Sequence, residues 1–187
     1  SLHDALPISF FIVPPISARL GKKNGAILLA LLSLSFNTAL YASWLLDLVP
    51  GGPSDPSVAF MFSFLIFSNS TAIGMMMLTS SMMADVVEAS QQETGRRSEG
   101  LFFAGYFFMQ KCAVGIGTFA AGMILSFAQF PQNAKPGQVD VAVLDGLALY
   151  YMGVVAVLGI TGVLILRHFP ISRESHNERL RALNTSA

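Results

Sequence analysis

Four stretches of the chain, near residues 25–49, 58–84, 99–127 and 146–167, carry almost no charge. Each is long enough, at about 20 residues, to cross a hydrocarbon layer as a helix. No other feature narrows the possible folds so far. The rest of the composition agrees: hydrophobic residues make up 53%, charged residues 12%, and the mean hydropathy is +0.59. A soluble domain carries roughly 25% charged residues and needs that polar surface to face water. The sequence therefore predicts an all-α polytopic membrane protein.

The predicted spans are Gly25–Val49, closed by the turn signal PGGPSDP, then Val58–Ala84, Glu99–Phe127 and Gly146–Arg167. Upstream, FFIVPPISARLGKKN reads as the last turns of an earlier helix, leaving through Pro14-Pro15 into a short basic loop. Residues 1–9, SLHDALPIS, lack the basic and apolar regions of a signal peptide and are expected to be a non-native leader. Residues 10–167 then form the transmembrane part and residues 168–187 a cytoplasmic tail. Arg19, Lys22, Lys23, Arg96, Arg97, Arg167, Arg173, Arg179 and Arg181 fall on one side of this layout, against Lys135 alone on the other. That asymmetry places the basic side in the cytoplasm. Trp44, Tyr41, Tyr150 and Tyr151 then belong at the outer interface.

Several classes of function are disfavoured. The net charge of zero gives nucleic acid no purchase. The single cysteine, Cys112, reads as a packing residue, and the three histidines lie near the ends without metal-ligand spacing. An intramembrane enzyme would need a nucleophile with its base, a metal cluster or paired carboxylates within the spans. None is present, so no enzymatic activity is expected.

Charge concentrates instead in ADVVEASQQETGRRSEG, residues 84–100, which holds six of the charged residues. Asp85 and Glu88 share one helical face at the end of the second span. Arg96 and Arg97 precede Ser98, a candidate N-cap, and Glu99, a first-turn acid that suits the helix dipole. A solvated loop explains the arginines. A breakable latch between the acids and the arginines would explain all four, and both readings stand.

Lys111 lies twelve residues beyond Glu99, roughly 18 Å along a helix, near the middle of a core about 30 Å thick. Placing Lys there costs about 2.5–3.5 kcal/mol, so such a residue faces a bundle interior or a wet cavity and finds an acid. Its face, Ala104, Phe108, Lys111, Gly115, Thr118 and Gly122, is mostly small and suited to close packing. A lysine that only bonds neighbouring carbonyls is the plainer alternative. No Asp or Glu lies mid-span; the polar residues there are Asn37, Thr38, Asn69, Ser70 and Thr71.

SSMMADVVEASQQETGRRSEGLFFAGYFFMQKCAVGIG resembles the penultimate cytoplasmic loop and following helix of the glycoside–pentoside–hexuronide:cation symporters, the melibiose permease family of the major facilitator superfamily. ARLGKK, residues 18–23, is similar to that family's basic loop between its eighth and ninth helices, and the resemblance covers roughly residues 10–170. It implies the end of helix 8 and helices 9–12 of a twelve-helix transporter whose two halves rock about a central site. It also implies that Lys111 sits beside cation-binding acids of an N-terminal half, with Gln110, Phe107, Asn37 and Asn69 as further candidates for the solute and coupling site. Asp85, Glu88, Arg96, Arg97 and Glu99 would form the cytoplasmic gate.

The implied activity is symport of a sugar-like solute with Na⁺ or H⁺ across the bacterial inner membrane, with no other cofactor and with the N-terminal half required. Tyr106 and Phe107 stand where melibiose permease has polar residues, and Met76 stands where it has a tryptophan. A melibiose-like disaccharide is thereby disfavoured. A lipid or other amphipathic solute, approached through Phe107 and Phe108, is the alternative.

Overall fold

The computed structural model describes residues 2–51, 57–96, 98–135 and 137–168, with side chains from Ser9 onward. The described residues form four helices: α1 (Leu2–Leu45), α2 (Val58–Thr94), α3 (Glu99–Phe127) and α4 (Val141–Arg167). All four are long and apolar enough to cross a membrane.

α1 is not one rod. Gly21 sits at φ 78°, ψ 166°, a region open essentially to glycine alone, and divides the helix into arms of residues 2–20 and 22–45. The contacts to α2 show how the arms lie. Ser9 bonds Ser70, and a side chain at Gly74 would meet Val13, so the first arm runs parallel to α2. Gly25 abuts Leu78, Gly74 abuts Leu29, and Ser33 bonds Ser68, so the second arm runs antiparallel to it. The arms are therefore a hairpin turned at Gly21. Ser9 and Ser33, roughly 36 Å apart in a straight helix, both reach the same turn of α2.

A helix end followed by a full span was thus correctly expected, but its exit was misplaced. Pro14-Pro15 do not end the helix, which continues to the glycine that can make the turn. Residues 2–9 also have helical backbone, and Ser9 is buried.

Two other boundaries differ from expectation, for local reasons. α2 runs ten residues past Ala84, because VVEASQQET contains helix formers and the first residue suited to stop it is Gly95, which caps the helix in the left-handed conformation at φ 67°. α4 begins at Val141, ahead of Gly146, because the Asp140 carboxylate accepts a hydrogen bond from the Ala142 N–H. At the start of α3, Ser98 holds the cap position through its carbonyl but makes no side-chain cap.

The core lies between the hairpin and α2. Ala26, Leu29, Leu78 and Met82 are its buried centre, joined by Ile12, Val13, Ile16, Met75 and Leu166. α4 leans antiparallel on the second arm, where Gly159 fits under Leu34 and Tyr41 packs on Tyr151 with ring centroids 4.8 Å apart. α3 is set apart: Ile124 is its one buried residue. It touches α4 near its far end, where Phe127 approaches Tyr150 and a largely apolar groove of about 440 Å³ opens between the two helices.

Candidate functional site

The alternating helix directions gather one set of charges at one end of the bundle. Lys22, directly after the Gly21 turn, places its ammonium 2.7 Å from both carboxylate oxygens of Asp85 on α2. Asp85 is therefore held by the hairpin. Glu88 is exposed, and among the described residues no ion pair links Asp85 or Glu88 to Arg96. Arg96 is exposed and bonds through its backbone N–H to the Thr94 hydroxyl, 3.3 Å away. Arg97 lies outside the described residues, and Glu99 opens α3. Sequence reasoning counted Lys22 only toward orientation and missed it as a partner. Its position beside the turn glycine was the available signal.

At the opposite end the Trp44 indole N–H donates to Asp145 at 2.9 Å, tying the second arm of α1 to α4. Trp44 was expected as an interface anchor ahead of a ligand platform. The structure gives it a definite acceptor.

Mid-span, hydroxyl groups line the seam between hairpin and α2. Ser33 donates to the Ser68 carbonyl at 3.0 Å, Ser68 donates back to the Ser33 carbonyl at 3.1 Å, and Ser9 donates to the Ser70 carbonyl at 2.7 Å. Ser70 and Thr71 also bond carbonyls of their own helix, so both act in packing. Asn69 faces away from the seam, exposed, with its amide bonded to the Leu65 carbonyl. Asn37 carries a buried amide oxygen without a hydrogen-bond partner.

Lys111 stands on the open side of α3. It is exposed and, among the described residues, without an ion pair or hydrogen bond. Its neighbours Phe107 and Phe108 are 57% and 67% exposed, and a Cβ added at Gly115 or Gly122 would meet nothing within 4 Å. The small-residue face was expected to pack closely; among the described residues nothing covers it. Immediately before Lys111, Gln110 donates its amide N–H to the Tyr106 hydroxyl, one turn back, at 3.0 Å. Phe107 packs beside Tyr106 and Phe103. The candidates thus separate: Gln110, Phe107 and Lys111 share α3, whereas Asn37 and Asn69 stand on α1 and α2. Cys112 is half-buried and free, and the described residues contain no cluster of three or more metal-ligating side chains.

Five alternating helical segments, drawn from four helices long and apolar enough to cross a membrane, are the framework of a multi-pass membrane protein. The particular family follows from comparison with known proteins. A family model described as "MFS/sugar transport protein" matches residues 4–173, and the chain belongs to that family.

An "Uncharacterized symporter" of Synechocystis sp. is 28% identical over 65% of this chain and 23% of its own length. A Salmonella typhimurium protein named "Putative 2,3-dihydroxypropane-1-sulfonate exporter" is 30% identical over 82% of this chain and 31% of its own. A "Putative glycoside/cation symporter" of Escherichia coli is 33% identical over 32% of this chain and 13% of its own. The chain thus spans less than a third of the length of these relatives. No solved structure matches it significantly.

Proposed function

We propose that the chain forms the C-terminal helices of a secondary active transporter that moves a small sugar-like solute together with Na⁺ or H⁺ by alternating access. The observation that carries this reading is Lys111: a charge near the middle of α3, on a face the described residues leave open, in a family of sugar transporters. A lysine at that depth does not persist against lipid, so the open face of α3 turns inward, toward an N-terminal half and the central site between them. There the ammonium binds the solute or balances acids that hold the coupling cation.

The test is transport by the full-length protein with Lys111→Ala and Lys111→Arg. Alanine is expected to insert normally and lose most uptake, with altered cation dependence, because an ammonium near carboxylates competes with bound Na⁺ or H⁺. Arginine is expected to rescue poorly, since a planar fork does not replace a compact ammonium. An alanine variant with wild-type uptake and cation dependence would overturn the reading.

The proposed membrane is the bacterial inner membrane, with the Lys22–Asp85 end in the cytoplasm. A cysteine at Gln138 should then react with an impermeant thiol reagent from outside intact cells, and one at Gln91 only after permeabilisation. The reverse pattern would invert the topology. A second reading, export of an organic anion, is favoured by the relative named for sulfonate export. It keeps the same site and reverses the direction of flux.

A further inference from the structure

We propose that the cytoplasmic end of the bundle holds an anionic phospholipid. Arg19, beside the Gly21 turn, and Arg167, at the end of α4, are the cations for its headgroup. An exposed apolar stripe of α4 is the bed for its acyl chain. The bound lipid is a fixed companion of the protein and not a transported solute. The inference rests on the topology proposed above and is independent of the transport reading.

The packing brings both arginines to the same end. Leu166 packs against the core cluster that also receives Ile16, three residues before Arg19. Arg167 follows Leu166 directly. Both arginines are exposed, and neither side chain makes an ion pair or hydrogen bond among the described residues. The acids at this end do not answer them. Asp85 is held by Lys22, Glu88 pairs with neither arginine, and α4 carries no acid past Asp145.

The surface that Arg167 caps points to a lipid and not to a free anion. Val157, Ile160, Leu164 and Arg167 share one face of α4 by helical spacing. The three apolar members are 65%, 53% and 50% exposed. Tyr151, Gly159 and Leu166 lie on the other side of the helix and meet α1 or the core. An apolar stripe that ends in a guanidinium at the membrane surface repeats the layout of a phospholipid, chain below and charge above. The guanidinium fork suits a phosphate, since it bonds two oxygens at once. A zwitterionic lipid brings its own ammonium to that phosphate, so a headgroup with net negative charge gains more from two further cations.

Purified full-length protein in detergent would be titrated with short-chain phosphatidylglycerol, short-chain phosphatidylcholine and glycerol 3-phosphate, with bound molecules counted by native mass spectrometry. Phosphatidylglycerol should bind several-fold tighter than phosphatidylcholine, and glycerol 3-phosphate should bind far more weakly than either. Arg19→Gln and Arg167→Gln should each weaken phosphatidylglycerol about fivefold, the equivalent of about 1 kcal/mol per cation near a membrane surface. Neither should change phosphatidylcholine binding or the unfolding midpoint. Arg167→Lys should keep part of the preference, and Arg96→Gln, which removes a cation from the loop after α2, should keep all of it.

Equal binding of the two lipids would overturn the inference. So would arginine variants no weaker than Arg96→Gln, which would assign the arginines to another partner, such as Glu174 or Glu178 outside the described residues. Glycerol 3-phosphate binding as tightly as the lipid would replace the lipid with a free phosphate. Detergent has no leaflets, so this result stands or falls separately from the thiol labelling that tests the topology.

Discussion

The hairpin with α2, and α3, use the same kind of sequence to opposite ends. Both are rich in glycine and small residues at helical spacing. Between hairpin and α2 those residues let backbones close: a Cβ at Gly74 would stand 2.9 Å from Val13 and 3.1 Å from Leu29, and one at Gly25 would stand 3.0 Å from Leu78. On α3, a Cβ added at Gly105, Gly115 or Gly122 would meet nothing within 4 Å. Small residues permit close approach, but they do not say what approaches. In the first region the partner is this chain, and the result is a packed core. In the second, under the transport reading, it is a cavity and the other half of a transporter.

Substitutions at Gly74 and Gly115 test this contrast most strongly. Gly74→Leu forces a branched side chain against Val13 and the fully buried Leu29, and overpacking of this kind costs about 1–3 kcal/mol. It should lower the unfolding midpoint of the full-length protein in mixed micelles. Gly115→Leu, beside Lys111, should leave that midpoint nearly unchanged and reduce transport. If Gly115→Leu destabilises as much as Gly74→Leu, the α3 face is a packing seam, and the contrast between the regions is lost.

The two regions were not equally legible in the sequence. Helix number, the preceding helix end and the common end of the basic residues followed from apolar runs and charge placement, because a bilayer punishes misplaced charge. The Gly21 turn was not found, since Pro14-Pro15 carried the stronger break signal and the consequence of an extreme φ/ψ pair does not show in a residue name. The pairing of Asp85 with Lys22, 63 residues away, lay outside any local pattern. Asp85 was visible as an unusual acid, whereas its partner depended on how the hairpin folds back. For Lys111 the sequence identified the residue and its place near the middle of α3, while its openness depends on which helices neighbour α3.

The Lys22–Asp85 pair gives the next, smaller test. Its side chains are 40% and 26% exposed, so the pair belongs nearer the surface class, worth about 0.2–1 kcal/mol. Lys22→Asp and Asp85→Lys should each destabilise the hairpin, and the double swap should recover part of the loss, because the attraction depends on opposite sign alone. Arg96→Glu should show no coupling to Asp85→Lys. Coupling as large as that of Lys22 would restore the latch between Asp85 and the loop arginine as the working description of this end.

The smallest expected effect comes from the serine seam, where its size still separates two accounts of the packed region. If glycine-allowed packing holds hairpin to α2, each hydroxyl adds little. Hydrogen bonds between membrane helices average about 0.6 kcal/mol by double-mutant cycle. Ser33 and Ser68 exchange bonds reciprocally, and the Ser68 carbonyl also accepts from Thr71 at 2.9 Å. Removing Ser33 therefore leaves that carbonyl a partner, and Ser33→Ala should cost little more than the average. Ser33→Ala and Ser68→Ala should be less than additive, since either change breaks the exchange. Ser9→Ala and Ser33→Ala, which meet different carbonyls of the same α2 turn, should add. Losses of several kcal/mol at Ser33 would mean that hydroxyl bonding, and not the close approach at Gly25 and Gly74, holds the first region together, and the comparison with α3 would then rest on polar groups and not on small ones.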